Sequence, residues 1–140
     1  MPKSRRLYLD TSAYLCILLG EEGSERLSED TAGADLLSSV LLVLETKRNL
    51  VRLAREGLLT TDQYKACLDR LELDRHELAL RDLTLDLCES SVLPAVATPR
   101  SLDLAHLRTA LWFHAAEPLQ RFVTRDDSQR HAAQELGLPV

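Results

Sequence analysis

The sequence predicts an α/β fold, a parallel β-sheet sandwiched by α-helices. Three observations predict it. Short apolar runs of strand length alternate with segments whose apolar residues follow the 3.6-residue helical period. Capping and turn residues stand at the junctions between them. With 140 residues, 45% apolar and only 5 Gly and 5 Pro, the chain can bury a core as one domain over 1–140 without disulfides or low-complexity linkers.

The elements follow in order. Leu7-Tyr8-Leu9 reads as a buried strand that ends abruptly at Asp10. Thr11 or Ser12 is expected to cap a helix from Ala13 to Leu19, which Gly20 stops. Glu21 to Ala32 reads as a short polar helix, and Leu36-Leu37-Ser38 as a second strand. Ser39 is the expected cap of a long helix ending near Glu56, with Val40, Val43, Leu44, Leu50, Val51 and Ala54 as its apolar face. Thr60 and Gln63 have capping-box spacing, and the helix after them should turn Tyr64, Cys67, Leu68 and Leu71 inward. Leu78-Ala79-Leu80 reads as a third strand, followed by a helix from Thr84 to about Val92 and a loop bracketed by Pro94 and Pro99. Ser101 is expected to cap a helix from Leu102 to about Ala115. Phe122-Val123-Thr124 is the next strand, then a helix to Leu136 with Gly137 as its stop, and Leu138-Pro139-Val140 as an edge strand.

Several function classes are excluded. The longest apolar run, Ala13–Leu19, is seven residues, against the ~20 of a membrane-spanning helix. Asp10 interrupts the only apolar stretch near the basic start, which argues against a secretory signal. Cys16, Cys67 and Cys88 form no CxxC pair and are odd in number, so they read as buried thiols in a reducing cytoplasm.

Four acids occupy unusual places. Asp10 follows the first strand and Asp126 follows the Phe122–Thr124 strand. In parallel α/β sheets ligands bind beyond the carboxyl ends of the strands, so both should face one crevice. Asp103 lies in the first turn after Ser101, and Glu45 sits near the start of the long helix, on a face shared with Leu41, Arg48 and Arg52. Each has a plain structural reading. Asp103 can favour a helix dipole, Asp10 can be a cap or an Asx turn, Asp126 and Asp127 can be turn residues, and Glu45 can be a solvated glutamate. Together they converge, and converging carboxylates repel. Mg²⁺ or Mn²⁺ removes that cost, and such a site suits hydrolysis of a phosphodiester.

These residues resemble a known family. LYLDTSAYL (7–15), SSVLLVLETKRNL (38–50), SLDLAHLRTAL (101–111) and FVTRDDSQRHAAQELGLPV (122–140) resemble, in order, the motifs of PIN-domain ribonucleases. Their order and the total length are similar to those of a VapC-type toxin of a type II toxin–antitoxin system. The resemblance implies a PIN fold and an acidic site of Asp10, Glu45, Asp103 and Asp126. Asp10, Asp103 and Asp126 would be the metal ligands, for Mg²⁺- or Mn²⁺-dependent RNA cleavage. It also implies a VapB-type antitoxin as partner, a homodimer, and a cytoplasmic location. The chain departs from the pattern at Arg108, where the family usually has a small residue, and at Asp127. Arg108 contacts RNA phosphate if it faces the groove, as Arg48 would; Asp127 is an auxiliary acid or exchanges roles with Asp126.

Other residues have two readings each. Thr11 and Thr124 either orient a carboxylate or serve as a cap and a strand residue, whereas Ser12 is expected to cap. His106, one turn from Asp103, packs locally or ligates a softer metal such as Zn²⁺. Tyr14, Leu15 and Leu18 are core or an antitoxin groove, and Trp112 and Phe113 are core or dimer interface. A non-catalytic PIN-like module that binds RNA or protein is the alternative function. An aspartyl-phosphate phosphatase is discounted, because Ser12 stands where that chemistry wants a second acid.

The net charge of −5 argues at first against a polyanionic partner. Its distribution does not. Residues 21–35 carry −5 and residues 69–89 carry −4, which leaves +4 for the rest. Of the 17 basic residues 14 are arginine, the side chain best matched to phosphate.

Overall fold

The computed structural model describes residues 4–89, 96 and 100–140. The sheet comes first, because it places the site. Strands β1 (Arg6–Leu9), β2 (Asp35–Ser39), β3 (Ala79–Arg81) and β4 (Arg121–Val123) pair in the order β3-β2-β1-β4, every pair parallel. Tyr8 stands beside Leu37 on one side and Phe122 on the other. Helices α1 (Thr11–Leu19), α2 (Ser24–Thr31), α3 (Leu41–Arg55), α4 (Thr61–Glu77), α5 (Leu85–Glu89), α6 (Ser101–Ala116) and α7 (Asp127–Glu135) make the connections. The expected α/β fold is the one observed.

Alternation along the strands divides the core into two layers. Tyr8, Leu37 and Phe122 face α6 and α7, where Leu107, Ala110, Phe113, Ala132 and Ala133 bury them. Leu7, Leu9 and Val123 face the other way, onto Ala13 and Cys16 of α1 and Leu27 of α2. A smaller cluster of Tyr14, Leu42 and Leu71 ties α1 to α3 and α4. Sheet and helices therefore form a sandwich, with the carboxyl ends of β1 and β4 side by side.

Helix ends correct several expectations. Asp10, rather than Thr11 or Ser12, caps α1, its carboxylate accepting the Ala13 amide at 3.1 Å. Gly20 closes that helix in the left-handed region (φ 63°), which a side chain would strain. Ser39 belongs to β2, though its hydroxyl accepts the Leu41 amide at 3.1 Å. The Thr60–Gln63 capping box is formed in both directions. Ser101 is the first residue of α6, not its cap; Arg100 precedes it and makes no side-chain capping bond. Helix α5 ends at Glu89, and the expected continuation to Val92 and the Pro94–Pro99 loop lie outside the described residues, apart from Val96.

Two apolar faces differ from expectation. The buried stripe of α3 runs through Leu42, Thr46 and Leu50, while Leu44 and Val51 are exposed. Helix α4 does turn Tyr64, Cys67, Leu68 and Leu71 inward. Residues 138–140 form no strand, although Leu138 is buried and the Pro139 carbonyl accepts the Phe122 amide at 2.7 Å. Of the cysteines only Cys16 is buried; Cys67 is half-buried and Cys88 exposed. Phe113 is core, whereas Trp112 is 44% exposed with the Arg81 guanidinium over its ring. Among the described residues no helix is long and apolar enough to cross a membrane.

Candidate active site

Asp10 and Asp126 are both N-caps, and the sheet order explains why they meet. Asp10 leaves β1 to start α1, and Asp126 leaves the neighbouring β4 to start α7. Each accepts the amide three residues on, Ala13 and Gln129 respectively, both at 3.1 Å. Two helix N-termini, each the positive end of a dipole, thus open beside one another. The capping reading of both acids is therefore borne out, and capping still leaves a carboxylate lone pairs for a further partner.

Asp10 is held by three donors. Oδ1 accepts the Ser12 hydroxyl at 2.7 Å as well as the Ala13 amide, and Oδ2 accepts the Thr124 hydroxyl. Burial pushes the Asp10 carboxyl above its ordinary range, and these hydrogen bonds pull against that without cancelling it. Ser12 does more than cap: its oxygen also accepts the Arg125 amide at 2.9 Å and lies 3.2 Å from Thr124 Oγ1. Thr124 in turn accepts the Asp126 amide at 3.1 Å. Thr124 therefore joins the two capping aspartates.

Glu45 reaches the crevice from the first turns of α3. Its Oε1 accepts the Thr11 hydroxyl at 2.9 Å and lies 2.8 Å from His106 Nε2. Burial alone would push this carboxyl up. The hydrogen bonds that His106 and Thr11 donate to it, with the charge of Arg48, outweigh burial and hold it below the usual carboxylate range. Arg48 is exposed beside it.

Asp103 completes the group from the first turn of α6. Burial raises its carboxyl, and the charges of Asp126, Asp10 and Glu45 raise it further against the pull of Arg100. Asp103 thus senses all three other acids. Among the described residues its carboxylate accepts no hydrogen bond, and neither does Asp126 Oδ2. Gln129 sets the spacing of this pair: its amide bonds Asp126, and its Nε2 donates to the Asp103 carbonyl at 2.8 Å.

The structure therefore brings together Asp10, Glu45, Asp103, Asp126, Thr11 and Thr124. It does not bring Asp127 or Arg108. Asp127 has a side chain 95% exposed and paired with Arg130. Arg108 donates to the Leu87 and Cys88 carbonyls at 3.2 and 2.8 Å, at the end of α5, so it is not a groove residue. Both ring nitrogens of His106 are taken, Nε2 by Glu45 and Nδ1 by the Tyr8 hydroxyl at 2.8 Å, which removes it as a zinc ligand with Asp103. Sequence reasoning missed Ser12 and Gln129. A signal existed for the second, since Asp126 and Gln129 have capping-box spacing, but here the glutamine side chain is spent on α6.

The donor set is all hard oxygen, and its mutual repulsion is what a divalent cation relieves, so Mg²⁺ or Mn²⁺ fits by chemistry. By arrangement the fit is incomplete. Among the described residues no three His, Cys, Asp or Glu side chains are gathered closely enough to hold one ion as they stand.

No protein-family model matches the chain. It is 32% identical over 139 residues to Ribonuclease VapC35 of Mycobacterium tuberculosis, strain CDC 1551 / Oshkosh, and equally to Ribonuclease VapC35 of strain ATCC 25618 / H37Rv. Each alignment covers 96% of this chain and 94% of the relative.

Proposed function

The chain belongs to the VapC family of PIN-domain ribonuclease toxins, and from that premise we propose that it is a Mg²⁺- or Mn²⁺-dependent endoribonuclease neutralised by a VapB-type antitoxin. The observation that supports the metal-dependent reading is geometric: Asp10 and Asp126 cap adjacent helices at the carboxyl ends of the paired strands β1 and β4, and Gln129 bonds both Asp126 and the Asp103 backbone. Asp10, Asp103 and Asp126 would hold the cation, with Glu45 beside them. A bound cation would neutralise these carboxylates and polarise the scissile phosphodiester. The chain's own residues do the rest. Thr124 and Ser12 orient Asp10, Gln129 spaces Asp126 from Asp103, and Arg48 offers a phosphate contact at the rim. The same reading gives the protein a second copy of itself as partner and a cytoplasmic location.

The test is cleavage of RNA by purified protein with Mn²⁺, compared with Asp10→Asn and Asp103→Asn. Both variants should lose metal-dependent cleavage. Variants that still cut on adding Mn²⁺ refute the assignment.

A second reading, a non-catalytic PIN-like module that binds RNA or protein, is favoured by the absence among the described residues of a ready three-ligand group. Titration calorimetry with Mn²⁺ separates the two. No binding below millimolar concentration, together with no cleavage of any RNA, selects the module.

A further inference from the structure

His106 is a buried ionisable side chain, 2% exposed, that the ribonuclease reading leaves without a task. It projects from α6 between β1 and α3. On one side Nδ1 meets the Tyr8 hydroxyl at 2.8 Å. On the other Nε2 meets Glu45 Oε1 at 2.8 Å and Thr11 Oγ1 at 3.2 Å. An ionised carboxylate only accepts, so Nε2 must carry the proton it shares with Glu45. In the neutral ring Nδ1 is then the acceptor, and Tyr8 donates to it. Tyr8 is itself closely packed: it is fully buried, stacked on Phe122 at 5.3 Å and edge-on to His106 at 5.9 Å.

Two donors, His106 Nε2 and Thr11 Oγ1, therefore converge on one oxygen of Glu45. Oε2 accepts nothing among the described residues. A carboxylate pinned at one oxygen by two donors from different elements presents the other in a fixed direction. A histidine that merely filled space would need neither the ordered partner behind it nor the charged one in front.

We propose that His106 is the positioning residue of Glu45: oriented by Tyr8 and assisted by Thr11, it locks Oε1 so that Oε2 faces the crevice. The proposal rests on the ribonuclease reading for its effect on rate, though not for its geometry. Supporting groups of this kind typically change activity about 10- to 100-fold when removed.

The test compares His106→Leu, His106→Gln and Tyr8→Phe with wild type in RNA cleavage with Mn²⁺, alongside thermal melting. His106→Gln keeps an N–H donor where Nε2 stood, and His106→Leu does not. His106→Leu should lower kcat about 10- to 100-fold with KM nearly unchanged. His106→Gln should recover most of that kcat even where both variants melt at similar temperatures. With an active wild type, a fully active His106→Leu, or equal losses in Leu and Gln, overturns the positioning role and leaves the ribonuclease reading standing. Should the leucine variant not fold, or should wild type cut no RNA, ¹⁵N NMR of the ring decides the geometry. A neutral ring protonated at Nε2 in wild type, becoming a tautomer mixture in Tyr8→Phe, supports it; a neutral ring protonated at Nδ1 overturns it.

Discussion

Replacing Thr124 by valine removes one hydroxyl from the centre of the site at nearly constant shape. That hydroxyl is 3% exposed as a residue, donates to the Asp10 carboxylate and accepts the Asp126 amide at 3.1 Å. Losing a hydrogen bond to a charged group costs about 1.5–3 kcal/mol, and an amide left without its acceptor adds about 1 kcal/mol. At neutral pH the variant should therefore be less stable by roughly 2.5–4 kcal/mol. In acid Asp10 is protonated and the bond lost is neutral, so the total falls to about 2 kcal/mol. The direction follows from linkage. The hydroxyl favours ionised Asp10, whose carboxyl burial already holds above the model-peptide value of 3.8. Without it the folded-state pKa rises further. The folded variant then holds a proton that the unfolded chain has released, and its stability falls as pH rises through that window. The gap between variant and wild type should open as pH rises through the wild-type folded-state pKa of Asp10, which burial holds above the ordinary carboxylate range, and level off once the variant's Asp10 has also ionised. Urea denaturation at a series of pH values measures it. A gap of the same size at every pH would show that the hydroxyl does not act through the charge on Asp10.

Two further predictions concern the rim and the metal. Asp103→Asn removes a carboxylate raised by burial and then by Asp126, Asp10 and Glu45, whose contribution to stability is present in acid and lost as pH rises through its folded-state pKa. In EDTA at pH 7 the variant should melt no lower than wild type, and only wild type should gain from Mn²⁺; a variant melting well below wild type contradicts the repulsion. Arg48→Ala should raise KM for RNA and reduce its salt dependence by about one ion, whereas Arg108→Ala should leave KM alone and lower stability by about 1 kcal/mol. Kinetics at two salt concentrations, with melting curves, would expose the reverse assignment.

The order of elements was legible because strand alternation and helix period are strong signals in a chain this apolar. Tyr8 against Leu7 and Leu9, and Phe122 against Val123, show that alternation in the two core layers. The buried face of α3 was not legible, because it is built on Thr46 while Leu44 and Val51 are exposed, and no pattern announces a buried threonine. Strand ends revealed Asp10 and Asp126, but their neighbours were harder to read. A serine two residues after an aspartate reads as a cap until the fold turns it onto the carboxylate. Arg108 shows the opposite failure. Its charge suggested phosphate, and only the position of α5 reveals the carbonyls that occupy it.

The central position of β1 bears on how the protein is made. Its two ladder partners stand far apart in the chain, β2 beginning at Asp35 and β4 at Arg121. Bringing β4 home closes a loop of over a hundred residues, the slowest class of contact to form. During vectorial synthesis Asp10 and Glu45 emerge early, yet the hydroxyl that aims Asp10 and the acid that faces Asp103 arrive only with β4 and the residues after it. Until then β1 offers one bare edge, with Leu7, Tyr8 and Leu9 along it, to any strand that would pair with it. A nascent chain is thus sticky before it can be catalytic, and an interrupted one stays so.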